Sequence, residues 1–110
     1  MSDVLDFRYA ERKDGGLILK FIKDLAKYEK MENEVIATEA LLKEWIFDKQ
    51  KAEVIFALKD GKEVGFALFF HNFSTFLGRA GIHLEDLYVR ETYRGLGAGR
   101  ALLRELARLA

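Results

Sequence analysis

The stretch Glu91–Ala110, ETYRGLGAGRALLRELARLA, decides the fold of this chain. Its glycines alternate with other residues at Gly95, Gly97 and Gly99, and an apolar stripe at helical spacing follows them at once. A glycine-rich turn that opens a helix lets a ligand come close to the unpaired backbone N–H groups of that helix. Because a helix N-terminus also carries partial positive charge, the stretch predicts an anion site suited to phosphate or pyrophosphate.

A glycine cluster alone leaves other interpretations open, because a strand-to-helix turn can use glycine merely to reach positive φ. A Walker A loop requires Lys and then Ser or Thr after its last glycine, whereas Arg100 and Ala101 stand here. A dinucleotide-binding fingerprint requires a further glycine at the position of Arg100 or of Leu102. Both nucleotide-binding loops are therefore disfavoured, and the remaining pattern is Arg-x-x-Gly-x-Gly between a strand and a helix.

The residues before this turn predict one strand and two helices. VLDFRYA, residues 4–10, alternates as a half-buried strand does. Apolar residues at spacings of three and four mark a helix over about residues 17–29, with Asp14 as a possible cap. Thr38 can cap a second helix, whose apolar stripe includes Trp45. We expect Trp45 to lie in the core rather than against a ligand.

The middle of the chain is rich in strand patterns. AEVIFALK and EVGFALFFH flank the tight-turn dipeptide Asp60-Gly61 and predict an antiparallel hairpin, with the run Phe66–Phe70 in the core. NFSTFLGRAG is expected to be a loop or an edge region, and IHLEDLYV is the strand before the glycine turn. The predicted order is β-α-α-β-β-β-α, an α+β fold with a mixed, mainly antiparallel sheet flanked by helices.

Composition excludes several classes of function. The chain has 110 residues, enough for one domain, and 18 basic residues balance 18 acidic ones, so no bulk attraction to nucleic acid or to an anionic membrane is expected. Cysteine is absent, and His71 and His83 lie twelve residues apart, so we expect no metal site. We read no signal peptide and no membrane span, and therefore expect a cytoplasmic protein.

The segment from Arg94 to Gly99, RGLGAG, resembles the acetyl-CoA pyrophosphate loop of the GNAT N-acetyltransferases, whose pattern is Gln/Arg-x-x-Gly-x-Gly/Ala. FIKDLAKYEKMENEV and LEDLYVRETYRGLGAG are similar to the diamine branch, the spermidine/spermine N-acetyltransferases. Glu91 departs from the family, which commonly has proline there. The resemblance implies that residues 1–110 are a single domain, the N-terminal two-thirds of a GNAT fold. The family fold continues with further strands and a helix, so we expect a truncated domain.

The resemblance implies transfer of an acetyl group from acetyl-CoA, as co-substrate, to a primary amine of a small molecule such as a polyamine or a lysine-like amine. The residues expected to contact the coenzyme are Leu87, Tyr88, Val89, Arg94, Gly95, Leu96, Gly97, Ala98, Gly99 and Arg100. Backbone N–H groups near Leu87 and Val89 are expected to bind the thioester carbonyl and the pantetheine amides. Arg94 and Arg100 are expected to add charge-assisted contacts to the phosphates.

Glu85 matches the glutamate of the family's LED segment and is the predicted catalytic base, because an alkylammonium must lose a proton before it can react. A surface carboxylate on an alternating strand is the alternative for Glu85. Tyr28, Glu29 and Asp86 are predicted to bind the amine, with Glu32 and Glu34 nearby. Strand alternation places Asp86 on the face opposite Glu85, unless a bulge re-aims it.

A competing hypothesis is a non-catalytic CoA-binding or interaction module, or an inactive fragment of such an enzyme. The part of the family fold that follows the last helix supplies a tyrosine thought to protonate the leaving thiolate, and it is absent here. An exposed sheet edge also predicts a homodimer, which a clean monomer in light scattering at high concentration would contradict.

Overall fold

The computed structural model describes residues 5–109 and shows an α+β fold in the predicted order. The strands are β1, Asp6–Tyr9; β2, Glu53–Lys59; β3, Lys62–Ser74; and β4, Arg79–Val89. The helices are α1, Gly15–Tyr28; α2, Glu39–Leu42, which continues as π-helical turns over Lys43–Asp48; and α3, Ala98–Leu109. Short 3₁₀ turns cover Arg12–Asp14, Glu32–Glu34 and Glu91–Leu96. The four strands form one sheet in the order β1-β2-β3-β4, and each pairing is antiparallel.

The central strands β2 and β3 are buried on both faces of the sheet. On one face α1 places Ile18 and Phe21 against Phe56 and Phe66, all of them inaccessible to solvent. On the other face α3 places Leu102 and Leu106 against side chains of β2, β3 and β4. The apolar run in β3 is therefore divided between two cores, which confirms the expected core positions of Phe66 and Phe69, whereas Phe70 is only partly buried.

A β-bulge interrupts the pairing of β3 with β4. Leu68 pairs with Asp86 and Phe69 pairs with Leu84, so Glu85 is the extra residue that has no partner in the register. Because the bulge offsets the side-chain alternation, Leu84 and Leu87 both pack on the α3 face. Asp86 and Tyr88 lie on the α1 face instead.

Several predicted boundaries are wrong. The loop interpretation of NFSTFLGRAG is wrong, because β3 runs on to Ser74 and β4 begins at Arg79, with only the turn at residues 75–78 between them. The alternative, an edge region, fits its last residues, which lie in the edge strand β4. Gly78 makes that tight turn possible with a φ of 69°. The first strand was predicted from Val4, which lies outside the described residues, and β1 itself begins at Asp6.

Two expected roles in the helices are also corrected. Trp45 is not a core residue: its side chain is 47% exposed, and the ammonium of Lys49 lies 4.0 Å from its ring centroid. The π-helical turns explain the difference, because they rotate side chains relative to the 3.6-residue stripe that the sequence suggested. The apolar stripe predicted after the glycine turn does not include Leu103 of α3, which is 47% exposed at its margin. Thr38 does cap α2, since its hydroxyl accepts a hydrogen bond from the Leu41 amide at 3.1 Å.

Asp14 precedes α1 but does not cap it with its side chain. Its carboxylate accepts hydrogen bonds from Arg8 at 2.9 Å and from the Glu11 amide at 2.7 Å, and the residue is buried. Arg8 also binds the carboxylate of Glu63 at 3.0 Å, which ties β1 to β3. The hydrogen bond from Arg8, chiefly, holds the pKa of Asp14 below its ordinary value despite burial.

Replacing Asp14 by Asn should lower the free energy of unfolding at neutral pH by about 1.5–3 kcal/mol, the contribution of a hydrogen bond to a charged group. A carboxylate with a depressed native pKa stabilises the fold above its unfolded-state pKa, and this stabilisation is lost as the pH falls through the native pKa. The deficit of the variant should therefore shrink in acid. Urea denaturation from neutral pH to about pH 2 measures it. Asp48→Asn is the control, because its pair with Arg12 is exposed. A deficit that does not change with pH would contradict this account of Asp14.

Candidate active site at the end of strand β4

The connection between β4 and α3 is a single 3₁₀ segment and a left-handed glycine. Gly97 has φ 74° and ψ 21°, a conformation that side-chain-bearing residues rarely adopt. The Ala101 amide donates to the Gly97 carbonyl at 3.0 Å and closes the first turn of α3. The amides that precede it, those of Ala98, Gly99 and Arg100, belong to the helix N-terminus and have no intrahelical acceptor. The predicted strand–turn–helix context of the glycine motif is therefore present.

A groove of about 370 Å³ runs in front of this turn, and we call it the coenzyme groove. It is lined by Leu87, Tyr88, Val89, Arg94, Gly97, Gly99 and Arg100. A Cβ added at Gly95 or Gly97 would meet no protein atom within 4 Å, so the space before the loop is open to a ligand. Leu96 belongs to the same turn by its backbone, and its side chain lies outside the part that the structure describes. Positive helix-end charge and two arginines fit a polyphosphate there.

The outer edge of β4 supplies further donors to the groove. The Arg90 amide donates to the Val64 carbonyl of β3 at 2.8 Å. Because antiparallel pairing alternates, the backbone groups of Leu87 and Val89 point to the opposite edge of the strand. No strand pairs with that edge in the described part of the chain. The two amides predicted to bind the acetyl-pantetheine end are thus directed away from β3.

Arg94 lies between this edge and helix α1. Its Nε donates to the Val89 carbonyl at 2.9 Å, and its guanidinium carbon lies 4.3 Å from the ring centroid of Tyr28 and 5.2 Å from that of Tyr88. The predicted contact of Arg94 with phosphate stays a prediction. Arg100, on the first turn of α3, is exposed beside the groove.

A smaller cavity of about 130 Å³ lies on the α1 face, below the bulge, and we call it the acidic pocket. It is lined by Ile22, Leu25, Ala26, Glu29, Met31, Glu34, Val35 and Asp86. Asp86 is half-buried there, and burial raises its pKa, with smaller contributions from the charges of Glu85 and Glu29. Crowded carboxylates with apolar walls form an environment suited to a cationic amine that has a hydrocarbon chain.

The predicted amine-binding residues do not all meet in this pocket. Glu29 and Asp86 both line it, whereas Tyr28 is 64% exposed on the other side of the helix end, against Tyr88 and Arg94. Glu32 is exposed and does not border the pocket. Glu34, named with Glu32 near the predicted amine site, does line the pocket. The apolar walls were not predicted as site residues, although the spacing of Ile22, Leu25 and Ala26 on one helix face was a usable signal.

Glu85 lies at the bulge next to Asp86, and its side chain is 57% exposed. His83 places its Nε2 3.9 Å from a carboxylate oxygen of Glu85, and its ring lies on Phe70 with centroids 4.7 Å apart. Because its side chain is partly exposed, Glu85 is accessible to a substrate or a water molecule beside the half-buried Asp86.

Within residues 5–109, the side chains of His, Asp and Glu form no group of three or more that could hold a metal ion. No helix in that range combines the length and the apolar character needed to cross a membrane.

The acetyltransferase (GNAT) family profile matches residues 19–110 of the chain. Thialysine N-epsilon-acetyltransferase of Bos taurus is 35% identical over 112 residues, which cover 94% of this chain and 65% of that protein. Spermidine/spermine N(1)-acetyltransferase-like protein 1 of Homo sapiens is 32% identical over 98% of this chain and 16% of its own length. The chain thus spans just under two thirds of the cattle relative.

The fold has a counterpart in a crystal structure of ribosomal-protein-alanine N-acetyltransferase from Brucella melitensis biovar Abortus 2308. The TM-score is 0.78 at 23% identity, and the match covers 96% of this chain and 71% of the other. At this identity the likeness concerns the fold, and it agrees with the family assigned by the sequence match.

Proposed function

Because the chain belongs to the GNAT acetyltransferase family, we propose that it forms the donor and acceptor sites for acetyl transfer from acetyl-CoA to a primary amine of a small molecule. One observation carries the proposal. The coenzyme groove and the acidic pocket lie on either side of the same short piece of β4, since Leu87 lines the first and its neighbour Asp86 lines the second. Donor and acceptor could therefore meet at the bulge.

The coenzyme groove fits the phosphates of CoA by the chemistry of its donors. The amides of Ala98, Gly99 and Arg100 would hold the pyrophosphate, supported by the guanidinium of Arg100. The outward amides of Leu87 and Val89 would bind along the pantetheine chain and at the acetyl carbonyl. An N–H group aimed at a developing oxyanion in a water-excluded site contributes about 2.7–4 kcal/mol.

The acidic pocket fits an alkylamine. Asp86, Glu29 and Glu34 are acceptors for an ammonium group, and Ile22 and Leu25 offer apolar contact to methylene groups. A raised pKa at Asp86 reflects burial and carboxylate repulsion, which a bound cation would relieve. The names of the cattle and human relatives refer to thialysine and to spermidine and spermine, and both kinds of substrate contain such amines.

Glu85 is proposed to accept the proton that the substrate ammonium must lose, directly or through a water molecule. When bound, acetyl-CoA supplies the acetyl group as an activated thioester. Asp86 is proposed to hold and orient the amine. Both assignments follow from the position of the two carboxylates at the bulge, one accessible and one half-buried.

A thiol-release assay with acetyl-CoA and a panel of amines tests the proposal, together with calorimetry using CoA alone. We expect CoA binding, and thiol release with diamines or lysine-like amines. Binding without release would instead indicate a non-catalytic CoA-binding module. If neither binding nor release occurs with any amine, the proposal is wrong.

Replacing Gly97 by Val should weaken CoA binding about tenfold, since a β-branched residue held at positive φ costs on the order of 1–3 kcal/mol and the loop would rearrange. Gly61→Val is the matched control. Gly61 also has a positive φ, 79°, and an open surrounding, but it lies in the β2–β3 turn. Calorimetry with CoA compares the two variants, and equal losses of affinity would contradict a specific role for the Gly97 turn.

The predicted homodimer stays a proposal. It is supported by the edge of β4 before the bulge, which has no partner strand within residues 5–109 and is not assigned to the coenzyme, because such an edge favours pairing with a second chain.

A further inference from the structure

The side chains of Arg94, Tyr28 and Tyr88 form a stack that joins the β4–α3 turn to the end of α1. Arg94 is fixed at one point by its hydrogen bond to the Val89 carbonyl, at 2.9 Å. Its guanidinium lies over the Tyr28 ring at 4.3 Å, and the edge of one tyrosine meets the other with centroids 6.4 Å apart. A guanidinium over an aromatic ring within about 6 Å is a stabilising cation–π contact.

This stack separates the coenzyme groove from a second cavity of about 450 Å³. That cavity is lined by Asp24, Lys27, Tyr28, Tyr88, Arg90, Glu91, Thr92 and Arg94. Tyr88 and Arg94 border both spaces, whereas Tyr28 borders only the second one. Tyr28 is also followed directly by Glu29 of the acidic pocket, and Tyr88 lies two residues after Asp86 on the same face of β4.

We propose that Arg94 is a positioning residue whose stacking on Tyr28 fixes the turn that binds the coenzyme relative to the helix that binds the amine. The inference rests on the proposed function. Its distinctive consequence is that CoA affinity depends on Tyr28, a residue outside the coenzyme groove. By thermodynamic linkage, an amine that orders the end of α1 should strengthen CoA binding by the same factor as CoA strengthens amine binding.

The effect can be separated from a loss of folding. Tyr28 is 64% exposed, so its truncation removes little buried surface, and α1 stays anchored by Ile18 and Phe21, which are inaccessible. The phenol oxygen is not needed for stacking, so Tyr28→Phe should preserve the contact. Tyr9 is the matched control, because it is 50% exposed and lines a different cavity near the far end of the sheet.

Calorimetric titration of CoA into the chain tests the inference. Tyr28→Ala should weaken CoA binding about fivefold, which corresponds to about 1 kcal/mol for a cation–π contact at an exposed site. The Tyr28→Phe and Tyr9→Ala variants should bind CoA with the same affinity as the unmodified chain. Equal affinity of Tyr28→Ala and the unmodified chain would overturn the inference while leaving the proposed function in place.

A double-mutant cycle locates the effect at Arg94. Arg94→Lys keeps the charge but loses the planar stack and the Nε donor. Once this change is made, Tyr28→Ala should cause no further loss of CoA affinity, whereas independent, additive losses would overturn the coupling. If the unmodified chain binds no CoA, the proposed function itself fails, and this inference fails with it.

Discussion

Replacing Phe21 by Ala should lower the free energy of unfolding by about 3–5 kcal/mol, the usual loss for truncating a buried phenylalanine. Phe21 is inaccessible to solvent, and its ring stacks on that of Phe66 at 5.3 Å and lies 5.9 Å from that of Phe56. The guanidinium of Arg90 covers it at 4.8 Å. Small domains are stable by only about 5–15 kcal/mol, so this single change should remove a large share of the total.

Urea denaturation measures the loss, and Phe73→Ala is the control, because Phe73 is 64% exposed on the β3–β4 hairpin. That control should change stability by no more than about 0.5 kcal/mol. The ring centroids of Phe21 and Tyr88 lie 6.4 Å apart, so the cavity left by truncating Phe21 would border the stack beside the coenzyme groove. A loss smaller than about 1 kcal/mol would show that the α1 face does not hold the fold together as described.

Replacing Glu85 by Gln should lower the rate of acetyl transfer by about 10²–10⁴ at neutral pH, the usual contribution of a positioned general base. The loss should shrink at alkaline pH, where more of the free amine is already deprotonated. The pH dependence of kcat, from the thiol-release assay, is the measurement. An unchanged pH profile would remove Glu85 from the role of base.

Asp86→Asn is the matched comparison, since the two carboxylates are neighbours at the bulge. We expect it to raise KM for the amine more than it lowers kcat, because Asp86 is assigned to holding the ammonium. If the pH effect follows Asp86 instead, the two roles are exchanged. The raised pKa of Asp86 leads to a further expectation about folding stability. Its ionised carboxylate destabilises the amine-free fold at neutral pH, so Asp86→Asn should not lower the free energy of unfolding at that pH.

The sequence predicted the glycine turn, the element order and the buried middle of the sheet, because each has a local signature in residue type or period. It did not predict the position of Asp86. Strand alternation places the side chains of neighbouring residues on opposite faces of the sheet, but only the register of β4 against β3 shows which of them faces α1. Glu29 and Asp86 are 57 positions apart in the sequence, so their meeting in the acidic pocket depends on the tertiary fold.

Two further differences have the same origin. Asp14 has the residue type and position of a helix cap, yet the guanidinium of Arg8 competes for its carboxylate after the sheet has formed. The π-helical turns after α2 have no distinctive sequence pattern, so Trp45 was assigned by a period that does not hold there. Tyr28 and Arg94 are 66 positions apart, and their stacking is likewise visible only in three dimensions.

The supernumerary residue in β4 adds a carboxylate to the strand without changing which side chains face the core. Before Glu85 the even-numbered residues Ile82 and Leu84 face α3, and after it the odd-numbered residues Leu87 and Val89 do. If Glu85 were lost, Leu84 and Asp86 would become consecutive residues of a regular ladder, and each would keep its present partner in β3 and its present face of the sheet. A deletion here would thus remove one carboxylate from the strand while the solvent and core faces of both hairpin arms stay as they are.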